Sequence, residues 1–247
     1  MKRFKRFFSE DSPKAIKADK YGYLNGINYM APHSIAGVGN MCAGASPGCK
    51  SLCLGMYSGQ ASFVADLENG TNNVRESRIR KTRDFMSDVQ RFMDEACEHV
   101  ESLSAKAKRR DKQFCGRFNG STDIPFERII VKSKGKTIFD SFPEEQFVDY
   151  TKILSRLDNP PANLHLTFSR SETNESECKV ALSKGFNVAV VFERKPKTYL
   201  GRPVIDGDAH DLRHLDKRHR RGYIIGLSPK GNKAKRDTSG FIVRESV

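Results

Sequence analysis

The sequence predicts an α/β protein, a (β/α) TIM-barrel-like domain that is complete or slightly incomplete and carries an N-terminal arm. Its 247 residues come close to the roughly 250 typical of one such barrel. Beyond residue 110, short β-rich runs each end in a polar cluster, and helical stretches fit between several of them. Strand, polar loop and helix in repetition is the pattern of a parallel sheet. Seven candidate strands can be counted, which leaves a doubly wound open sheet as the alternative arrangement.

Residues 1–33 mix aromatics with Gly, Asn and Pro and show no sustained period, so they read as an arm or cover. The remainder, 34–247, reads as one domain. Its expected first strand is SIAGV (34–38), immediately before a cysteine-rich loop at 42–53. From about Gln60 to Arg110 the pattern is helical: Phe85, Val89, Phe92, Met93, Ala96 and Val100 recur at 3- and 4-residue steps, with Cys97 beside that stripe as a small buried residue. QFCGRF (113–118), EQFVDY (145–150), LHLTF (164–168), NVAVVF (187–192), RPVI (202–205) and YIIGL (223–227) are the further strands. A helix is expected over 172–185, stopped by Gly185.

In parallel barrels the site is built at the carboxyl ends of the strands. Here those ends carry Asn119, Ser121, Asp123, Tyr150, Lys152, Ser169, Arg170, Glu172, Glu193, Arg194, Asp206, Asp208, His210 and Lys230, which are all expected at one mouth. The thiols belong there as well, because their loop follows the first strand.

The stretch 42-CAGASPGCKSLCLG-55 places Cys42, Cys49 and Cys53 at spacing C-x6-C-x3-C among small residues. Exposed inert thiols in such a loop would be prone to oxidation. Structural zinc usually takes C-x2-4-C pairs and a fourth donor close by, and the nearest histidine, His33, lies nine residues before Cys42. An iron–sulfur cluster, 4Fe-4S above all, is wider than one ion and suits the longer spacing, with small residues admitting backbone amides to its sulfurs. Strand alternation puts Cys115 on the side of Arg117 and Asn119, making it the candidate fourth ligand. Cys178, within the expected helix, reads as structural.

Around these thiols, and in RFNGSTDIPFE, TFSRSE, NVAVVF, VIDGDAHDLRHLD and KRDTSGFIV, the sequence resembles the phage gene product 88 family, from about Tyr21 onward. The resemblance implies a viral protein with an iron–sulfur site, acting in the cytoplasm of an infected host cell.

Three thiolates on a cluster leave one iron open. An open iron can act as a Lewis acid in hydrolysis of an ester or phosphoester. It can also bind S-adenosylmethionine, as in radical-SAM barrels, whose thiols also follow the first strand. The usual C-x3-C-x2-C spacing is absent here, as is a GGE-like segment. Asp206, Asp208, Asp123, Arg170 and Glu172 are the candidate catalytic residues. In VIDGDAHDLRHLD (204–216), His210 and His214 would share a face if helical, although DGD is also ordinary turn chemistry.

A net charge of +13 and a pI near 9.5 favour polyanionic partners. Basic runs fall at 2–6, 106–112, 217–221 and 230–236. Arg170, Lys230, Lys233 and Arg236 are the candidate anion- or nucleic-acid-binding residues. The expected partner is a small-molecule or phosphate-bearing substrate, with nucleic acid as the competitor and no standard nucleic-acid signature to support it. No G-x4-G-K-[ST] loop is present. No run approaches the ~18 apolar residues of a membrane span, and no apolar h-region follows MKRFKRFF, so no membrane partner is expected.

Overall fold

The computed structural model describes Phe4, residues 6–217 and residues 221–244. Most of the basic runs at 2–6 and 217–221 lies outside the described residues. Among the described residues, no helix is long and apolar enough to cross a membrane.

Among the described residues the ten strands are β1 (Tyr23–Ile27), β2 (Gln113–Arg117), β3 (Ile130–Val131), β4 (Lys136–Thr137), β5 (Gln146–Thr151), β6 (Leu164–Ser169), β7 (Val188–Val191), β8 (Thr198–Tyr199), β9 (Arg202–Asp206) and β10 (Ile224–Leu227). The helices are α1 (Pro13–Asp19), α2 (Pro47–Ser51), α3 (Leu54–Tyr57), α4 (Asn73–Ser87), α5 (Val89–Lys108), α6 (Ile138–Ser141), α7 (Glu175–Ser183) and α8 (Asn232–Lys235). Eight strands form one sheet in the order β1-β2-β5-β6-β7-β10-β9-β8, and β3 and β4 form a separate hairpin. Every pairing in the large sheet is parallel except β8 with β9.

The expected barrel differs from the observed ladder in two ways. β10 enters between β7 and β9, and two-residue β8 turns antiparallel at the edge. Among the described residues no strand pairing joins β1 to β8, so the ladder is that of an open sheet.

The N-terminal segment is more than an arm. Tyr23–Ile27 is an edge strand, Phe7 and Phe8 are buried, and Ser9 pairs with Ile27 on the outer side of β1. Ser34–Val38, expected to be the first strand, forms turns and bends instead. The thiol loop still follows the first strand, which is β1. Helix 172–185 is shorter than expected, as α7, and Gly185 with φ of 85° ends it as predicted.

The helical stripe before residue 110 is split between α4 and α5 by Asp88, whose carboxylate accepts the Arg91 N–H as the cap of α5. Phe85, Phe92, Met93, Ala96, Cys97 and Val100 are buried as their spacing foretold, while Val89 is only partly buried. They pack on the outer face of the sheet with Phe8, Phe114, Phe118, Phe126, Phe139 and Phe147. Phe118 sits at the middle of that group, with ring centroids 5.1 Å from Phe126, 5.3 Å from Phe8 and 5.7 Å from Phe139. Such pairs add about 0.5–1.5 kcal/mol each beyond their burial.

The inner face is smaller and more polar. Cys115, Val148 and partly buried Tyr23 meet Ala18 of α1 and Leu212 of the segment after β9. Within that segment Arg213–Leu215 makes a single 3-10 turn against β5 and β6. His210 and His214 therefore do not share a helical face. His210 meets the Tyr21 ring at 4.7 Å and His214 the Tyr23 ring at 4.9 Å.

Candidate functional site

The inner face opens at the carboxyl ends of the strands into a cavity of about 230 Å³. Cys42, Cys49 and Cys53 all line it. Their loop is pressed tightly against the sheet ends, and this accounts for its small residues. A Cβ on Gly48 would lie 2.6 Å from Ser239 Oγ and 2.8 Å from the Glu172 carboxylate; one on Gly44 would lie 2.9 Å from the Lys152 carbonyl oxygen. Any larger residue there would push the thiols away from the cavity.

Each thiol is held by its backbone surroundings. Cys42 forms a parallel bridge with Asp123, and its sulfur accepts the His33 N–H at 3.3 Å. Cys49 lies in α2, capped by Ser46, whose hydroxyl oxygen accepts the Cys49 N–H at 3.1 Å. Cys53 precedes α3, and its sulfur accepts a backbone hydrogen bond from Gly55. Beyond Cys53, buried Arg75 of α4 gathers the chain by donating to the carbonyls of Met56, Ala61, Leu67 and Gly70 at 2.6–2.9 Å.

Burial pushes the Cys42 thiol up to about 12 and the Cys53 thiol up to about 11. Both therefore hold their protons at neutral pH, and a bound cation or cluster is what would displace them. Among the described residues, no group of three His, Cys, Asp or Glu side chains is spaced to grip a single metal ion. One ion needs every sulfur about 2.3 Å from a single point. A wider cluster needs donors around a cavity, with N–H groups aimed at sulfur. The three thiols line one cavity, and backbone N–H groups meet the Cys42 and Cys53 sulfurs.

Cations surround the thiols: Lys50, Arg117, Lys152, Arg170 and Lys230 line the same cavity, against Asp123 and Asp211. Asp123 is already engaged, its carboxylate accepting from Arg156 Nη1 at 2.7 Å and from the Lys152 N–H at 2.7 Å. Arg170 donates from Nη1 to the Gly240 carbonyl at 2.5 Å and the Phe241 carbonyl at 2.8 Å, tying the C-terminal segment across the cavity.

Of the residues expected at the mouth, Asn119, Ser121, Asp123, Tyr150, Lys152, Ser169, Arg170 and Lys230 line this cavity. Glu172, Glu193, Arg194, Asp206, Asp208 and His210 do not. Glu172 acts on the thiol loop instead, accepting the Ser46 hydroxyl at 2.8 Å and the Gly48 N–H at 2.7 Å. Asp206 and Asp208 lie one strand removed, because β9 is outside β10. Both pair with Lys195, and Asp208 also accepts the Ser228 hydroxyl at 2.7 Å and lies 3.8 Å from Lys230. The hydrogen bond from Lys195 holds the Asp206 carboxyl below its ordinary range.

Cys115 is on the inner face as alternation required, yet it is sealed among Ala18, Val148 and Leu212 and is not part of the cavity lining. It is placed as a packing residue, not as a fourth ligand. Lys233 pairs with Glu68 and lies 3.9 Å from the Tyr57 ring centroid, and Arg236 is exposed beyond α8. Sequence reasoning gave no role to Lys50, Arg117 or Ser228. The signal for Arg117 was available: it is the last residue of a strand, in phase with Cys115.

A parallel α/β sheet with three thiols and a ring of cations around one cavity at its strand ends is the class this architecture defines. The chain belongs to the Gene product 88 family, whose model matches residues 6–245. No curated protein and no solved structure matches it.

Proposed function

We propose that the protein binds an iron–sulfur cluster of 4Fe-4S type through Cys42, Cys49 and Cys53 and hydrolyses a small phosphate-bearing or other anionic ester in the host cytoplasm. The observation that carries this reading is the convergence of three thiols and five cationic side chains on one cavity. When bound, a three-thiolate cluster supplies a Lewis-acidic iron. The chain's own residues bind and orient: Lys152, Arg170 and Lys230 attract the anionic substrate, while Asp123 and Glu172 position the loops that carry Lys152 and Cys49. Asp206 and Asp208 hold Lys195 and the loop bearing Lys230. The fold reads as an opened relative of a (β/α) barrel, since β1, β2, β5, β6 and β7 follow chain order and the cavity is at their carboxyl ends.

Anaerobic purification with iron and sulfide analysis tests the cofactor. Iron and sulfide should copurify and fall sharply in Cys42→Ser, Cys49→Ser and Cys53→Ser. Stoichiometric zinc without iron would overturn the chemistry. A change in the cluster's spectrum on adding S-adenosylmethionine would transfer the reading to radical chemistry, which the position of the thiols after β1 favours. The net charge of +13 supports a non-catalytic nucleic-acid-binding alternative; salt-sensitive binding that survives loss of the thiols would establish it.

A further inference from the structure

We propose that Arg117 and Tyr150 form a phosphate subsite on the floor of the cavity, facing the opening between the thiol loop and the strand ends. The inference rests on reading this cavity as a ligand site and names the group that the ligand presents.

Arg117 closes β2 and is 7% exposed. Its Nε donates to the Asn119 carbonyl at 3.2 Å, and its guanidinium lies 4.7 Å from the Tyr150 ring centroid. The nearest carboxylate, Asp211, is 4.0 Å from Nη1, too far for a hydrogen bond. A buried guanidinium whose fork is left open by its own fold suits an oxyanion held by paired N–H donors.

Tyr150, the next inward-facing position across the β2–β5 pair, carries a buried hydroxyl with no hydrogen-bond partner among the described residues. Buried polar groups are rarely left unpaired, because desolvation without a partner is costly. Burial also pushes the phenol far above its ordinary range, so it remains a donor throughout the neutral region. Both residues line the cavity, and Lys152, Arg170 and Lys230 lie at its sides. That excess of positive charge matches a phosphate carrying close to two negative charges better than a singly charged carboxylate.

Calorimetric titration of inorganic phosphate and, separately, acetate into the full chain tests this. Phosphate should bind the wild type, with acetate at least about tenfold weaker. Tyr150→Phe removes only a hydroxyl with no hydrogen-bond partner among the described residues, so its melting temperature should hold while phosphate affinity falls about tenfold, the loss expected for one hydrogen bond to a charged group. Arg117→Gln should lose about a hundredfold, as two such bonds go. Unchanged phosphate affinity in Tyr150→Phe, or acetate binding as tight as phosphate, would overturn the subsite. Phosphate binding without iron sinks the cluster and spares the subsite; iron without phosphate binding does the reverse.

Discussion

The two faces of the sheet are drawn from alternate residues of the same strands, yet they are put to opposite uses. On β2 and β5, Phe114 and Phe147 point outward into a dense aromatic layer, while Cys115, Arg117, Val148 and Tyr150 point inward. The outer layer is built of rings that meet one another mostly edge to face. The inner face closes with apolar contacts at its lower end, around Cys115 and Leu212, and carries charged and hydroxyl groups above, beside a second apolar cluster of Leu52, Ala234 and Ile242. Stability and chemistry are thereby separated by one residue's step along a strand, so mutations on the two faces should have separable effects.

The sharpest test of that separation is Phe118→Ala. Removing a ring buried among Phe8, Phe126, Phe139 and Phe147 should cost about 3–5 kcal/mol, read by denaturant unfolding. Ligand binding by the fraction that remains folded should be unchanged; a selective loss of binding would break the comparison. Arg75→Met comes next. It strands four carbonyls in the chain just beyond Cys53, and about 2–3 kcal/mol should be lost with faster proteolysis confined to residues 54–72. The smallest effect concerns pH. Burial pushes the Asp216 carboxyl up to about 6 despite Arg213 at 3.3 Å. The folded chain then holds a proton that the unfolded chain has released, so this group's contribution falls as pH rises from about 4 to about 6. Relative to Asp216→Asn, the wild type should lose about 2 kcal/mol across that window. A flat difference between the two would show that the inner segment is more hydrated than its burial indicates.

Much of this arrangement was legible in the residues. Runs such as LHLTF and NVAVVF are apolar enough to be buried on both faces, and only a strand of a parallel sheet fits them. β1 was harder to see because Asn25 and Gly26 interrupt its apolar run, while SIAGV carries β-branched residues into what becomes a turn. The cavity was partly legible because strand ends converge whatever the strand order, and Tyr150, Lys152 and Arg170 follow from that rule. Asp206 and Asp208 were misassigned because strand order is not local information. Nothing within VIDGDAHD says that β10 will lie between it and the cavity. Cys115 failed for a related reason. Alternation gave the correct face, but height above the floor depends on α1 and the 207–216 segment, which cover it from distant parts of the chain.

The late insertion of β10 also sets an order of events during synthesis. β9 is made before β10 yet has no parallel neighbour until β10 arrives, so residues 198–206 can exist beforehand only as a small antiparallel hairpin. On the ribosome, β7 must wait with an open edge, and the wall of the cavity supplied by Leu227 through Ile242 emerges after the other segments that line it. A ligand that requires an enclosed chamber would therefore have to wait until that wall is in place.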